Sequence, residues 1–446
     1  MSYKKAEHLE EIDNAVRFDV PVGPKHPFFT DFSEVRGDFE EKILYRTLNV
    51  NPLTFKYNRV VNRTNKTLLF LAGMRGSGKT SELKKITEKL HRREAFFCVF
   101  CNLDEGLDLN DMEYMDILIF QLERLAEELE KNGIEIKKSI IESLNDWYAE
   151  QIEEVNKAIK REGGFEIEVG AKTPTLLSFL GISAKLKGNL AGSKENATKI
   201  RTILKQNFTA FSQKFNEFIA VVNKALRDQA IAEELLFIVD GLEKVATIDI
   251  RKKIVDNESN LIRQIKVNTI FTLPIELFAL EPKLRRFSTV ISFPFIKIVS
   301  KTGERLEEPI NRFKTFVEKR IDKSLFDSPQ TMEDAIYYGG GSPRELLRVL
   351  EYTYLYSDAD TGKLTKTALD KAVKKLSAEY ARYLTKGDLA LLKILKENNE
   401  RGWTTPLNEN WQDLLEKLVV LEYNDGTYKR VHPLIETSAI YRQYVS

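Results

Sequence analysis

The sequence predicts an α/β protein built on a parallel sheet with helices on both faces, and three observations carry that expectation. Five short runs are almost uniformly apolar, which is the composition of strands buried on both sides. Longer amphipathic segments alternate with them, as crossover connections between parallel strands require. A glycine-rich octapeptide ending in Lys79-Thr80 joins the first run to the helix that follows it.

The elements follow in order. Pro21, Pro24, Pro27 and Pro52 break any long helix in the first 60 residues, leaving one short helix within Asp38 to Leu48. Thr67-Leu-Leu-Phe-Leu-Ala is the first strand and Ser81 to Leu90 has helical spacing. Ala95 to Cys101 is a second strand and Glu113 to Asn132 a long helix, and over Asp108 to Glu127 the helical spacing of Leu109, Met112, Met115, Ile119 and Leu122 marks a core face. Leu235 to Val239, Asn268 to Thr272 and Val290 to Ile298 supply strands three to five. Phe165-Glu-Ile-Glu-Val and Ile182 to Leu190 alternate with period two and read as an inserted β-hairpin. The expected organisation is an N-terminal extension over 1–60, a sheet core over 61–298 with an insertion at about 150–230, a helical unit over 299–384, and a compact C-terminal unit over 385–446.

Composition narrows the function classes. Lys plus Arg is 68 against Asp plus Glu 67, so a globally basic nucleic-acid coat and an acidic solvating tail are both excluded. Two cysteines rule out a disulfide scaffold. No apolar run approaches bilayer length and no apolar h-region follows Met1, so the expectation is a cytoplasmic protein with no membrane partner.

Gly73-Met74-Arg75-Gly76-Ser77-Gly78-Lys79-Thr80 matches G-x-x-x-x-G-K-[ST] in full, with Ser81 continuing into the helix. Glycines let the backbone curl so that successive N–H groups face phosphates, and the helix start adds its positive end. Lys79 is expected on the β- and γ-phosphates of ATP and Thr80 on Mg²⁺. Leu235-Leu-Phe-Ile-Val-Asp240-Gly-Leu-Glu243 is an apolar strand ending in a carboxylate. Asp240 would hold Mg²⁺ through water, and Glu243 would orient the attacking water. The plainer alternative is a strand-end cap followed by a solvated helix.

With these two motifs the chain resembles the AAA+ and STAND group of P-loop ATPases, over roughly residues 60 to 446. Typical AAA+ members place the catalytic Glu directly after the strand-end Asp. Here position 241 is Gly and the second acid comes three residues on, closer to the STAND pattern. The resemblance implies further roles. Thr272, or as an alternative Asn268, would be the sensor-1 contact to the γ-phosphate or its water. Arg285 or Arg286 would reach a neighbouring subunit's ATP as an arginine finger, as in origin-recognition-type members. A basic helix end satisfying its own carbonyls is the other reading of that pair. Arg344, in Gly339-Gly-Gly-Ser-Pro-Arg344, would be the sensor-2 contact of a helical lid, and the C-terminal unit resembles a winged helix that ends in Val431-His432-Pro433-Leu434.

Other signals have structural explanations. Cys98 and Cys101 fall three apart in an apolar strand and so point to opposite faces. Thr385-Lys-Gly-Asp388 resembles a guanine-recognition tetrapeptide but lies at a helix start, where Thr385 as N-cap explains it; adenine is the expected base. Residues 385 to 446 hold eight Lys/Arg against nine Asp/Glu, and the expected recognition helix carries Glu409, Asp413 and Glu416, which suits protein contact better than DNA. Residues 165 to 205 hold seven Lys/Arg, among them Lys185, Lys187, Lys194, Lys199, Arg201 and Lys205, against three Glu. That makes them the place where DNA could bind. The function implied by the resemblance is an ATPase switch that assembles into homo-oligomers through ATP-bridged interfaces and recruits a partner protein or effector, as in bacterial anti-phage systems. The alternative is a DNA-loading ATPase of the origin-recognition or transposition-regulator kind.

Overall fold

The computed structural model describes residues 4–59, 66–160, 194–406 and 409–445. Five strands, β1 (Leu68–Gly73), β2 (Phe96–Asn102), β3 (Glu234–Asp240), β4 (Asn268–Pro274) and β5 (Thr289–Ser292), form one parallel sheet in the order β2-β3-β4-β1-β5. The fifth strand is shorter than the apolar run that announced it. It ends at Ser292, and Pro294, which has no N–H for a ladder bond, lies just beyond. In this order β4 lies between β1 and β3, so Thr272 comes up between the loop after β1 and the carboxylate after β3.

The two faces of the sheet follow the period-two rule. Leu69, Leu71, Phe96, Cys98, Leu236 and Ile238 pack against α1 (Glu41–Thr47) and α2 (Lys79–Leu90). Phe97, Val99, Cys101, Phe237, Val239 and Phe271 pack on the other face against α3 (Tyr114–Lys131) and, further on, α6 (Phe208–Asp228). Cys98 and Cys101 are thus free, buried and on opposite faces, and burial pushes both thiols well above their ordinary range. The expected stripe is core: Met112, just before α3, and Met115, Ile119 and Leu122 on it are all buried.

The inserted β-hairpin expected at residues 165–190 falls outside the described residues. On either side of it run α4 (Lys138–Lys160) and α5 (Lys194–Gln206). Two of the cations counted toward a DNA surface lie on α5 and are already committed. Arg201 is 5% exposed and sits 2.7 Å from Asp116 Oδ2 and 2.9 Å from Asp111 Oδ1. Lys205 holds Glu113 at 2.6 Å and also pairs with Glu258. Those two cations are therefore spent on acids of α3, of its approach and on Glu258.

Four helices, α7 (Glu307–Glu318), α8 (Pro329–Tyr338), α9 (Pro343–Leu355) and α10 (Lys366–Ala381), form a helical unit. The N-terminal residues are no loose appendage to it. Ala6, Leu9, Ile12, Val16, Phe28 and Phe32 share one core with Phe313, Phe316 and Leu347, and Ala6 exchanges backbone bonds with Arg320 and Asp322. After them come α11 (Lys386–Glu400), capped by Thr385 as expected, α12 (Glu409–Glu416), and an antiparallel hairpin of β6 (Val420–Tyr423) and β7 (Tyr428–Val431). Glu416 accepts from Arg251 at 2.9 Å, and Arg251 also pairs with buried Glu276. Helix α12 is therefore docked on the sheet unit.

An ionic cluster ties the N-terminal segment to the second turn of α2. Lys85 Nζ lies 3.0 Å from Asp31 and 2.7 Å from Glu82, and also bonds Glu41. Burial pushes the Glu82 carboxyl up to about 7 despite Lys85. Because the native pKa exceeds the unfolded one, folding takes up a proton between about pH 4.5 and 7. The Glu82 contribution is full below that window and lost as pH rises through 7. A displacement that large corresponds to about 3 kcal/mol. Glu82→Gln should therefore flatten the fall in stability between pH 5 and 8, read from denaturant midpoints. On α5, Arg201→Ala leaves Asp116 buried without its cation and should cost about 3–5 kcal/mol in the same measurement.

Candidate functional site

β1 delivers the chain into the phosphate loop, and the loop glycines are there for want of room and for backbone sign. A Cβ on Gly73 would lie 2.5 Å from the Phe293 carbonyl oxygen. Gly76 and Gly78 have φ of 84° and 94°, the left-handed region that favours glycine. Lys79 opens α2, is 3% exposed, and donates back to the Gly73 and Met74 carbonyls at 2.8 and 3.0 Å. The lysine side chain is thus folded over the loop it belongs to.

Thr80 donates its hydroxyl to Asp240 Oδ2 at 2.7 Å, which joins the two motifs directly. Gly241, at φ 106°, then turns the chain sharply into the short Leu242–Lys244 helix. That turn explains the three-residue spacing: it brings Glu243 Oε1 back to 3.7 Å from Lys79 Nζ. Thr272 secures the turn, its hydroxyl oxygen accepting from the Gly241 and Leu242 amides at 3.0 and 3.4 Å while bonding the Glu243 carboxylate. Asn268 sits at the opposite end of β4, clamping the Thr67 amide and Glu234, so it is no alternative to Thr272. Burial and the nearby Glu243 charge push Asp240 up to about 6. Burial acts the same way on Glu243, but Lys79, its own amide and Thr272 together outweigh it and hold that carboxyl below its ordinary value.

Asp240 Oδ1 and Glu243 Oε2 are buried and, among the described residues, bond to nothing. Two orphaned carboxylate oxygens beside a threonine hydroxyl fit a hydrated divalent cation, which prefers oxygen ligands. Buried acceptors without donors are otherwise costly.

The helical unit supplies the next wall. Ser342 caps α9 by accepting from the Glu345 amide, and donates its hydroxyl to the Gly76 carbonyl at 3.1 Å. Arg344, in the first turn of α9, lines the same cavity as Arg75, Lys79, Thr80 and Glu243. Its guanidinium is held below its ordinary range by burial and then by the charge of Arg75. Two arginines facing one space raise the affinity of that space for anions.

Sequence reasoning missed the remaining wall. Phe18, Val20, Val22 and Phe28 of the N-terminal segment line the same cavity, the Phe18 ring facing Arg344 at 5.7 Å. Arg36 is buried behind the loop, donating to the Pro294 carbonyl at 2.8 Å and stacked 3.9 Å over Phe293, with its Nη2 beside Gly78. The only local signal was the alternation of Phe18, Val20 and Val22 in a segment that its prolines marked as irregular. Arg285 and Arg286 are exposed on the turn after the Glu281–Leu284 helix and do not line this cavity.

The C-terminal unit touches the loop as well. Met74 is buried in one core with Leu392, Leu414 and Leu421, and its sulfur accepts from the Glu422 amide at 3.2 Å. His432 is fully buried, stacks on Tyr380 with ring centroids 5.0 Å apart, and is held neutral by burial, its pKa lowered to about 3.

Residues 45–270, just over half of the chain, match the KAP family P-loop domain. No curated protein matches. Among solved structures, the chain is similar to the Aeropyrum pernix ORC1 protein in complex with DNA, at 10% identity and a TM-score of 0.33, over 88% of this chain and 87% of that one. With its phosphate loop, strand-end Asp240 and five-stranded parallel sheet, the chain belongs to the KAP family of P-loop NTPases.

Proposed function

We propose that this chain is an AAA+/STAND-like ATPase that acts as a nucleotide-controlled oligomeric switch. The observation that carries the reading is the position of the phosphate loop between two other parts of the chain. Gly76 bears the start of α9 through Ser342, and Met74 is inserted in the core of the C-terminal unit. A loop that rearranges around phosphate would alter both contacts, and a ligand shifts an equilibrium by its differential affinity for the two states.

The residue roles follow from the site. Lys79 leaves its loop carbonyls for the β- and γ-phosphates of ATP, and Arg344 closes on them from the lid. Thr80 and Asp240 would hold Mg²⁺, which when bound would neutralise phosphate charge. Glu243, kept ionised beside Lys79 and Thr272, accepts the proton of the attacking water. The apolar wall of Phe18, Val20 and Val22 takes the adenine. Arg285 and Arg286, which are exposed and do not line their own cavity, would serve a neighbouring subunit's ATP. Residues 299–384 are the lid and 385–446 a winged helix that contacts protein, consistent with α12 being docked through Glu416. The released unit would recruit a partner or effector, in keeping with a bacterial anti-phage system, and the protein works in the cytoplasm.

Native mass measurement with ADP and with a slowly hydrolysed ATP analogue tests the switch. The expected outcome is a larger assembly with the ATP analogue alone. Lys79→Ala should abolish that change, and Glu243→Gln should retain it while lowering turnover by about 100-fold or more. A mass that is the same with either nucleotide would sink the oligomeric reading.

A further inference from the structure

Arg320 follows α7 and is 4% exposed, yet it lines the nucleotide cavity. Its guanidinium stacks 3.8 Å over the Phe316 ring and faces the Phe28 ring at 5.1 Å. The hydrogen bond its side chain makes to protein is from Nη1 to the Phe316 carbonyl, at 2.9 Å. No carboxylate pairs with it among the described residues, and burial alone lowers its pKa, to about 9. A guanidinium carries five N–H donors in a fixed fork, so most of this one is unspent on protein. Burying such a group without partners is expensive, and the two rings keep it from swinging out to water.

The place of Arg320 in the cavity says what would complete it. Lys79, Arg75 and Arg344 furnish the loop side of the cavity, Arg344 also facing the Phe18 ring at 5.7 Å, whereas the groups packed on Arg320 are the Phe28 and Phe316 rings. A flat ligand with apolar faces and hydrogen-bond acceptors on its rim suits that place, and a nucleobase has that form. We propose that Arg320 is a specificity-determining residue that donates to an acceptor atom on the edge of the bound nucleobase. This rests on the nucleotide reading of the cavity given above. In adenine the available acceptors are the ring nitrogens, because the exocyclic amine is itself a donor.

The test is equilibrium binding of ATP and of its 1-deaza, 3-deaza and 7-deaza analogues to the full chain, wild type and Arg320→Met. One analogue should bind wild type about 10-fold more weakly than ATP, the size expected for a hydrogen bond from a charged donor. That gap should close to within about twofold in Arg320→Met. If all three analogues match ATP on wild type and wild type shows no preference for GTP, the proposal is overturned, and this arm does not depend on any variant folding. A gap that persists in Arg320→Met overturns it equally. Failure of wild type to bind any nucleotide overturns the reading of the cavity itself, a result distinct from normal ATP binding without a deaza penalty. A preference for GTP that disappears in Arg320→Met supports the role of Arg320, with guanine O6 as the acceptor, and overturns only the adenine assignment.

Discussion

A Cβ on Gly73 would lie 2.5 Å from the Phe293 carbonyl oxygen, and one on Gly76 would lie 3.0 Å from Arg344 Cβ. The phosphate loop is therefore seated in a space that admits backbone and little else. Around it, β5 and the residues that follow press on Gly73, the first turn of α9 rests on Gly76, Arg36 lies behind Gly78, and β6 receives Met74. Packed interiors transmit small shifts because they are nearly as dense as molecular crystals. In such a setting the conformation of eight residues cannot change without consequence for the sheet, the helical unit and the C-terminal unit together.

Charge is arranged around the same loop. The chain as a whole is almost neutral, with a formal net charge of +1. Away from the loop that neutrality comes from local pairing: Arg201 with Asp116, Lys205 with Glu113, Lys85 with its three carboxylates. At the cavity the pairing lapses. Arg75 and Arg344 raise one another's cost, Arg320 has rings where an acid would be expected, and Asp240 and Glu243 each keep an oxygen without a donor. Uncompensated groups of both signs in one buried place are the mark of a site completed by a charged ligand and a cation.

The fold and half of the site were legible in short windows of sequence. All five strands, the phosphate loop, the Asp240–Glu243 pair, the capping of α11 by Thr385 and the core role of both cysteines could be read because each depends on local periodicity or on a backbone conformation that only certain residues adopt. Composition was less informative for two of the cations counted near α5. The positive count near α5 concealed Arg201 and Lys205, whose acids lie on a segment some ninety residues earlier. The alternative sensor, Asn268, was set aside only when its place at the far end of β4 was known.

The sequence by itself determined the local ingredients: a glycine loop of the phosphate-binding pattern, the lysine and threonine that follow it, and a carboxylate pair whose odd spacing is set by Gly241. Only the tertiary structure decided what stands around them. Phe18, Phe28 and Arg320 line the cavity beside the loop, and Met74 meets Glu422 across 348 positions of chain. The physical reason is range. Turn geometry and strand periodicity act between residues a few positions apart and leave their trace in any short window. A cavity wall assembled from the first thirty residues and a helix end near position 320 exists only once packing has brought them together.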